Sequence, residues 1–281
     1  MVMVSQLGPG IDVRTTFRDE RDLLIQLLRK LDESDWVAET VCPGWSVRDV
    51  AAHLLHDDLR RLSRSRDHVG GPVPDAGESL PTFLNRANDR WVEETRFISP
   101  QLLVDLLAHT APLLHRMWTG SNLDLLGEGV WWAGVEAAPV WLDVARDYSE
   151  DWIHHQQIRD AVERPGVSSP EFLDPLLDTL MRALPKTYEP LRAEDGTTVV
   201  VVLNDGNRAL GRSLVTDIGR GWTVYPGTRS SIPTAQVILP ADTFWRLASG
   251  SVSRQQAVER SRLTGDERLA ARQFEVVSVV R

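Results

Sequence analysis

The spacing of apolar residues predicts a multidomain chain, with an all-α first domain over residues 1–166 and a small α+β domain over 167–281. Three observations lead there. Before Arg164 the apolar positions recur at helical spacing, stretch after stretch. Pro165-Gly166 then breaks the pattern and is the natural domain boundary. Beyond it, Thr197-Thr198-Val199-Val200-Val201-Val202-Leu203 is short and β-branched, as a strand should be.

Val13, Phe17, Leu23, Leu24, Leu27, Leu28 and Leu31 put a first helix over Ile11–Leu31, capped by Asp12 or Thr15. Cys42-Pro43-Gly44-Trp45-Ser46 ends the polar segment that follows, and Ser46 with Asp49 three residues on resembles a capping box. Val47, Val50, Ala51, Leu54, Leu55 and Leu62 then make one helical face, with His53 inside that helix. A Gly/Pro loop over Asp67–Ser79 precedes a third helix, Leu80–Thr95. Ser99-Pro100 supplies the N-cap and first position of a fourth, which runs towards Trp118 with Pro112 inside it. Gly120–Glu136 is irregular and rich in Gly and Trp, a loop placed to line a pocket. Pro139 opens the next helix, through Val140, Val144, Tyr148, Trp152 and Ile158.

In the second domain a helix is expected over Pro170–Leu184. Strands follow at Thr197–Leu203, Ala209–Ile218, Trp222–Tyr225 and Ala235–Leu239, with Asn204-Asp205-Gly206-Asn207 as a turn. Pro240-Ala241-Asp242 starts a helix ending near Ser249. Ser261–Leu263 reads as a short strand, Asp266–Phe274 as a helix, and Val276–Val280 as a last strand or tail.

Composition narrows the function. Hydrophobic residues at 42% and charged residues at 25% suit a globular protein that buries its own core. A net charge of −9 argues against a general phosphate-binding surface, so no nucleic-acid partner is expected. No stretch approaches the ~20 apolar residues of a membrane span, and the N-terminus lacks a signal peptide's basic start and apolar run. No membrane partner is expected, and the location is taken as cytoplasmic. The single cysteine, Cys42, excludes an intrachain disulfide and a multi-cysteine zinc site. It has no neighbouring base in sequence and suits a buried structural thiol better than a nucleophile.

The chemistry concentrates in Tyr148-Ser149-Glu150-Asp151-Trp152-Ile153-His154-His155-Gln156-Gln157. Glu150 and His154 are four apart, on one face of a helix and one turn from each other. A carboxylate and an imidazole so placed can grip a metal ion from one side. The best third ligand is His53, about a hundred residues upstream. Three ligands of this type leave coordination positions open, which is the design of a catalytic divalent site, and Zn, Ni, Fe or Co would suit them. His155 is turned ~100° from His154 and belongs on the surface or behind the ligands. His56 and Asp57 lie about a turn from His53, with a solvated helix face favoured over a supporting role. Without further support, Glu-x-x-x-His is a weak signal that many helices carry by chance.

Pro43-Gly44-Trp45-Ser46-Val47-Arg48-Asp49-Val50-Ala51-Ala52-His53-Leu54 resembles the motif at the second helix of the DinB-like superfamily, and more narrowly of the mycothiol-dependent maleylpyruvate isomerase family. Glu150-Asp151-Trp152-Ile153-His154 resembles that family's second metal motif, and Leu263-Thr264-Gly265-Asp266-Glu267-Arg268-Leu269-Ala270 its closing Gly-Asp segment. The resemblance implies a DinB-like four-helix bundle followed by a sterol-carrier-like α+β domain. It implies His53, Glu150 and His154 as a metal triad, with zinc the first candidate, and a thiol such as mycothiol as cosubstrate. The metal would make the thiolate available to attack a small electrophile, in an isomerase or thiol S-transferase. A second-domain arginine that holds an anionic substrate is also implied. Here Gly250-Ser251-Val252-Ser253-Arg254 departs from the expected Gly-Arg pair, leaving Arg254 as a displaced equivalent or an ordinary exposed arginine. The alternative to an enzyme is a non-catalytic small-molecule or lipid-binding protein, with a metal that is structural or absent.

Overall fold

The computed structural model describes residues 1–217 and 219–278. The chain forms two compact units, each assembled from separated segments. One takes Asp12–Asn122 and Asp147–Phe172, and is helical. The other takes Met1–Ile11, Leu123–Arg146 and, among the described residues, 173–217 and 219–278, and contains the sheet. This is a discontinuous division, where the sequence suggested one cut at 166. The long helix Val140–Ala161 gives its first residues to the sheet unit and the rest to the helical one.

The helical unit contains α1 (Arg14–Leu28), the single turn α2 (Glu33–Trp36), α3 (Val47–Arg61), α4 (Leu80–Glu94), α5 (Pro100–Thr119) and most of α6 (Val140–Ala161). Ser46, Ser79 and Ser99 cap α3, α4 and α5 by accepting from the backbone N–H three residues on, as the sequence foretold for Ser46 and Ser99. One apolar cluster joins Leu24 and Leu28 of α1, Val50, Ala51 and Leu54 of α3, Leu103 and Leu107 of α5, and Ile158 of α6.

Into this core the fold inserts charge. Arg21 of α1 is buried and forks between two carboxylates. Its Nε and Nη2 donate to Asp151 of α6, both at 2.6 Å. Its Nη1 and Nη2 donate to Asp58 of α3, at 3.2 and 2.9 Å. Thr110 of α5 donates to Asp58 at 2.5 Å. One guanidinium and its partners thus tie four helices together. Beside them Arg159 Nε donates to His155 Nε2 at 2.8 Å, so the His155 proton sits on Nδ1 and is donated to Glu20 at 2.6 Å. His155 is fully buried, which corrects the surface alternative of its expected position, and its ring nitrogens pair with Glu20 and Arg159.

In the other unit, β1 (Thr198–Asn204), β2 (Ala209–Asp217), β3 (Gly221–Pro226), β4 (Ala235–Pro240) and β5 (Arg262–Gly265) form a mixed sheet of order β3-β2-β1-β4-β5. Only β1 and β4 run parallel. β1 sits centrally, and Val199, Val200 and Val201 are buried in succession rather than alternately, because both faces of the strand are covered. α7 (Pro170–Leu180), α8 (Leu184–Tyr188), α9 (Ala241–Ala248), α10 (Arg254–Glu259) and α11 (Glu267–Arg272) accompany the sheet. Gly265 has φ +81°, and a Cβ there would lie 2.3 Å from the Thr234 carbonyl oxygen. Only glycine fits, and Asp266 then caps α11 through the Leu269 N–H.

Some elements differ from expectation. The helix expected to reach Leu184 changes to a 3-10 turn at Met181–Ala183 and restarts as α8, whose first turn holds Pro185. The turn Val4–Leu7 and helices α2 and α10 are too short to show periodicity. Val276–Ser278 form no strand, and Val279 and Val280 lie outside the described residues, as does Ile218. No described helix is long and apolar enough to cross a membrane.

Removing one member of a buried ion pair costs roughly 3–5 kcal/mol, because its partners stay buried and uncompensated. Arg21→Met is expected to lose stability in that range in urea titrations of the full chain. A loss below about 1 kcal/mol would mean that the pair is not buried as described.

Candidate metal centre

The start of α3 is fixed by its motif. Gly44 turns the chain at φ +76°, and the Ser46 N–H and hydroxyl donate to Asp49 at 3.0 and 2.9 Å. Arg48 donates to the Thr95 and Ile98 carbonyls beyond α4, at 2.7 and 3.1 Å. Trp45 lays its ring 5.2 Å from that of His53 and donates its Nε1–H to Asp89 of α4 at 3.2 Å. The Pro-Gly-Trp-Ser motif therefore anchors α3 and walls one side of His53.

The structure brings the three sequence-predicted residues together. The ring of His53 meets that of His154 edge-on, 4.8 Å between centroids. Glu150 Oε2 lies 3.6 Å from His154 Nε2. One ligand atom from each of His53, Glu150 and His154 falls within 4.8 Å of the others. Both imidazoles are buried, while the Glu150 side chain keeps about a quarter of its surface open. His53 Nδ1 is buried with no hydrogen-bond partner. Burial followed by the neighbouring His53 pushes the His154 pKa down to about 3, and burial lowers that of His53 as well. Both rings are neutral at ordinary pH, the state in which imidazole binds a metal.

The surroundings orient the donors. His154 Nδ1 lies 2.7 Å from Gln157 Oε1, which can only accept, so the proton is on Nδ1 and the Nε2 lone pair is left for a ligand. The Cys42 thiol donates to the same oxygen at 3.2 Å. Burial lifts that thiol to about 11, which keeps it protonated and agrees with a structural role. Two buried neutral imidazoles, one of them with an orphaned nitrogen, and a carboxylate facing the more open side fit a first-row divalent ion.

Other predicted residues fall differently. Asp57 Oδ2 is 3.4 Å from His53 Nε2, so Asp57 faces the cluster instead of forming a plain solvated face. His56 stacks on Trp91 with ring centroids 4.8 Å apart, and with His53 and Asp57 makes a second, overlapping group of possible ligands. Trp131 and Trp132 belong to the sheet unit, where Trp132 is buried. Asn204–Asn207 is the β1–β2 turn, closed by Asn204 and Asp205 side chains accepting from Gly206 and Asn207 N–H groups. Arg254 begins α10 in the sheet unit, exposed and paired with Glu275 at 3.3 Å, as an ordinary surface arginine would be.

Neutral buried histidines make stability depend on pH. The unfolded chain protonates His154 near pH 6.5, while the folded chain resists until about 3. Between these values the unfolded state binds more protons, so stability falls as pH falls. In metal-free protein, wild type is expected to lose stability faster below pH 6.5 than His154→Asn does, by up to about 1.4 kcal/mol per pH unit. Parallel curves of unfolding free energy against pH would contradict the burial of a neutral His154.

A family model described as the mycothiol maleylpyruvate isomerase N-terminal domain matches residues 17–159, just over half the chain. Among solved structures, a mutant of the mycothiol-dependent maleylpyruvate isomerase is similar at a TM-score of 0.54 and 14% identity, over 89% of this chain and 91% of that one. The mycothiol-dependent maleylpyruvate isomerase itself aligns at a TM-score of 0.52 and 16% identity, over 85% and 88%. At such identity the likeness speaks for the fold, which extends over both units. No curated protein sequence matches the chain. A match across α1 to α6, including both arms of the histidine–glutamate cluster, shows that the chain belongs to the mycothiol maleylpyruvate isomerase N-terminal domain family.

Proposed function

We propose that this chain is a metal-dependent enzyme that uses a low-molecular-weight thiol, as an isomerase or thiol S-transferase acting on a small electrophile. The observation that carries this is the convergence of His53, Glu150 and His154 within a chain of this family. His53 and His154 would supply neutral nitrogens, and Glu150 one negative oxygen. That donor set suits zinc. An ion bound there would supply a thiolate at neutral pH. Trp45 packs against His53 and limits its motion. Glu150 is the most open of the three and marks the side from which a cosubstrate would approach. The thiol is read as mycothiol, from the family and from the matched structures. The helical unit is read as a DinB-like four-helix bundle, and the sheet unit as a sterol-carrier-like domain.

A second reading, a non-catalytic binding protein with a closed metal, has one observation in its favour. Asp57 stands one turn from His53 and 3.4 Å from its Nε2, close enough to offer a fourth protein ligand.

Full-length protein supplemented with zinc and then exchanged into metal-free buffer should retain about one equivalent. His53→Ala and His154→Ala should each lose most of it. Turnover of maleylpyruvate or another small electrophile should require both mycothiol and the metal. Wild type without stoichiometric metal would remove the site. Stoichiometric metal with no change on adding mycothiol, and with affinity that depends on Asp57, would favour the binding protein.

A further inference from the structure

We propose that Gln157 is the positioning residue of this centre: its amide oxygen fixes His154 as the Nδ1–H tautomer, and the Cys42 thiol steadies that oxygen. The inference rests on the proposal that His53, Glu150 and His154 hold a metal, and adds a residue outside that set. Gln157 follows His154 by three positions on α6, so its side chain lies one turn further along the same face. It is 95% buried, with relative exposure of 5%. Its Oε1 receives two donors, His154 Nδ1 at 2.7 Å and Cys42 Sγ at 3.2 Å. A neutral imidazole has one proton. Held on Nδ1, it leaves Nε2 as the free donor, and Nε2 is the atom that lies 3.6 Å from Glu150. Loss of the acceptor would let the proton move to Nε2 and would free the ring to turn. Cys42 reaches this site from the segment before Pro43-Gly44, so the turn that starts α3 also braces the ligand on α6.

The test compares zinc affinity, by competition with a chelator, in full-length wild type, Gln157→Met and Gln157→Glu. Methionine fills the space without accepting as amide oxygen does, whereas glutamate keeps an acceptor. Gln157→Met is expected to bind zinc roughly 10–100-fold more weakly, and Gln157→Glu close to wild type. Metal-free wild type labelled with ¹⁵N-histidine should show His154 protonated at Nδ1, a measurement that needs no variant to fold. Wild-type affinity in Gln157→Met, or an Nε2–H tautomer in wild type, overturns the inference alone. An equal loss in Gln157→Glu and Gln157→Met assigns the effect to packing and overturns it too. Wild type that binds no zinc overturns the metal reading, and this inference with it.

Discussion

The Arg21 guanidinium, held between Asp58 and Asp151, is the interaction on which the helical unit depends. Asp58 lies on α3, five residues after His53, and Asp151 lies on α6 between Glu150 and His154. The two helices that carry the candidate ligands are therefore the two that Arg21 clamps. Apolar contacts such as Val50, Leu54 and Ile158 provide the burial but tolerate small slides and rotations. A fork with two hydrogen bonds to each carboxylate does not. Burying such charges is costly. What the arrangement secures here is register: His53 faces His154 only if α3 and α6 keep one relative rotation.

α6 meets several demands within eight residues. Asp151 and His155, four apart, turn to Arg21 and Glu20. Glu150 and His154, also four apart, turn to His53. Gln157 reaches back to His154 and across to Cys42. The helix is buried nearly all round here, with Trp152 and Ile153 between the polar positions. A segment that buries such polar groups must pair them, and Asp151 and His155 do so with Arg21 and Glu20 of α1, His154 with Gln157 of its own helix, and Gln157 with Cys42 as well.

Much of this was legible in the sequence because it is local. Serine caps, Pro-Gly breaks and the valine-rich β1 announce themselves within a few residues. The pairing of Glu150 with His154 follows from helical spacing, and its joining to His53 from the motif that precedes α3. What escaped was whatever depends on packing between distant segments. Arg21 sits in the stripe of Phe17, Leu24 and Leu28, and Asp58 in that of Leu54, Leu55 and Leu62, so each is a charge on an inward face. Those placements were the available sign of a buried pair. His155 was misjudged for a related reason: a polar residue on a helix looks exposed until its buried partner, here Glu20, is known. The division into units was hidden because Met1–Ile11 and Leu123–Arg146 join the sheet unit from a distance.

The central claim is that His53, Glu150 and His154 form one divalent site that admits a thiol. X-ray absorption at the zinc edge of loaded full-length protein tests it most directly. The account predicts only nitrogen and oxygen neighbours in thiol-free protein, with the outer-shell signature of two imidazoles, and one sulfur at about 2.3 Å once mycothiol is added. Sulfur in the thiol-free spectrum, or a spectrum unchanged by His154→Ala, would contradict it.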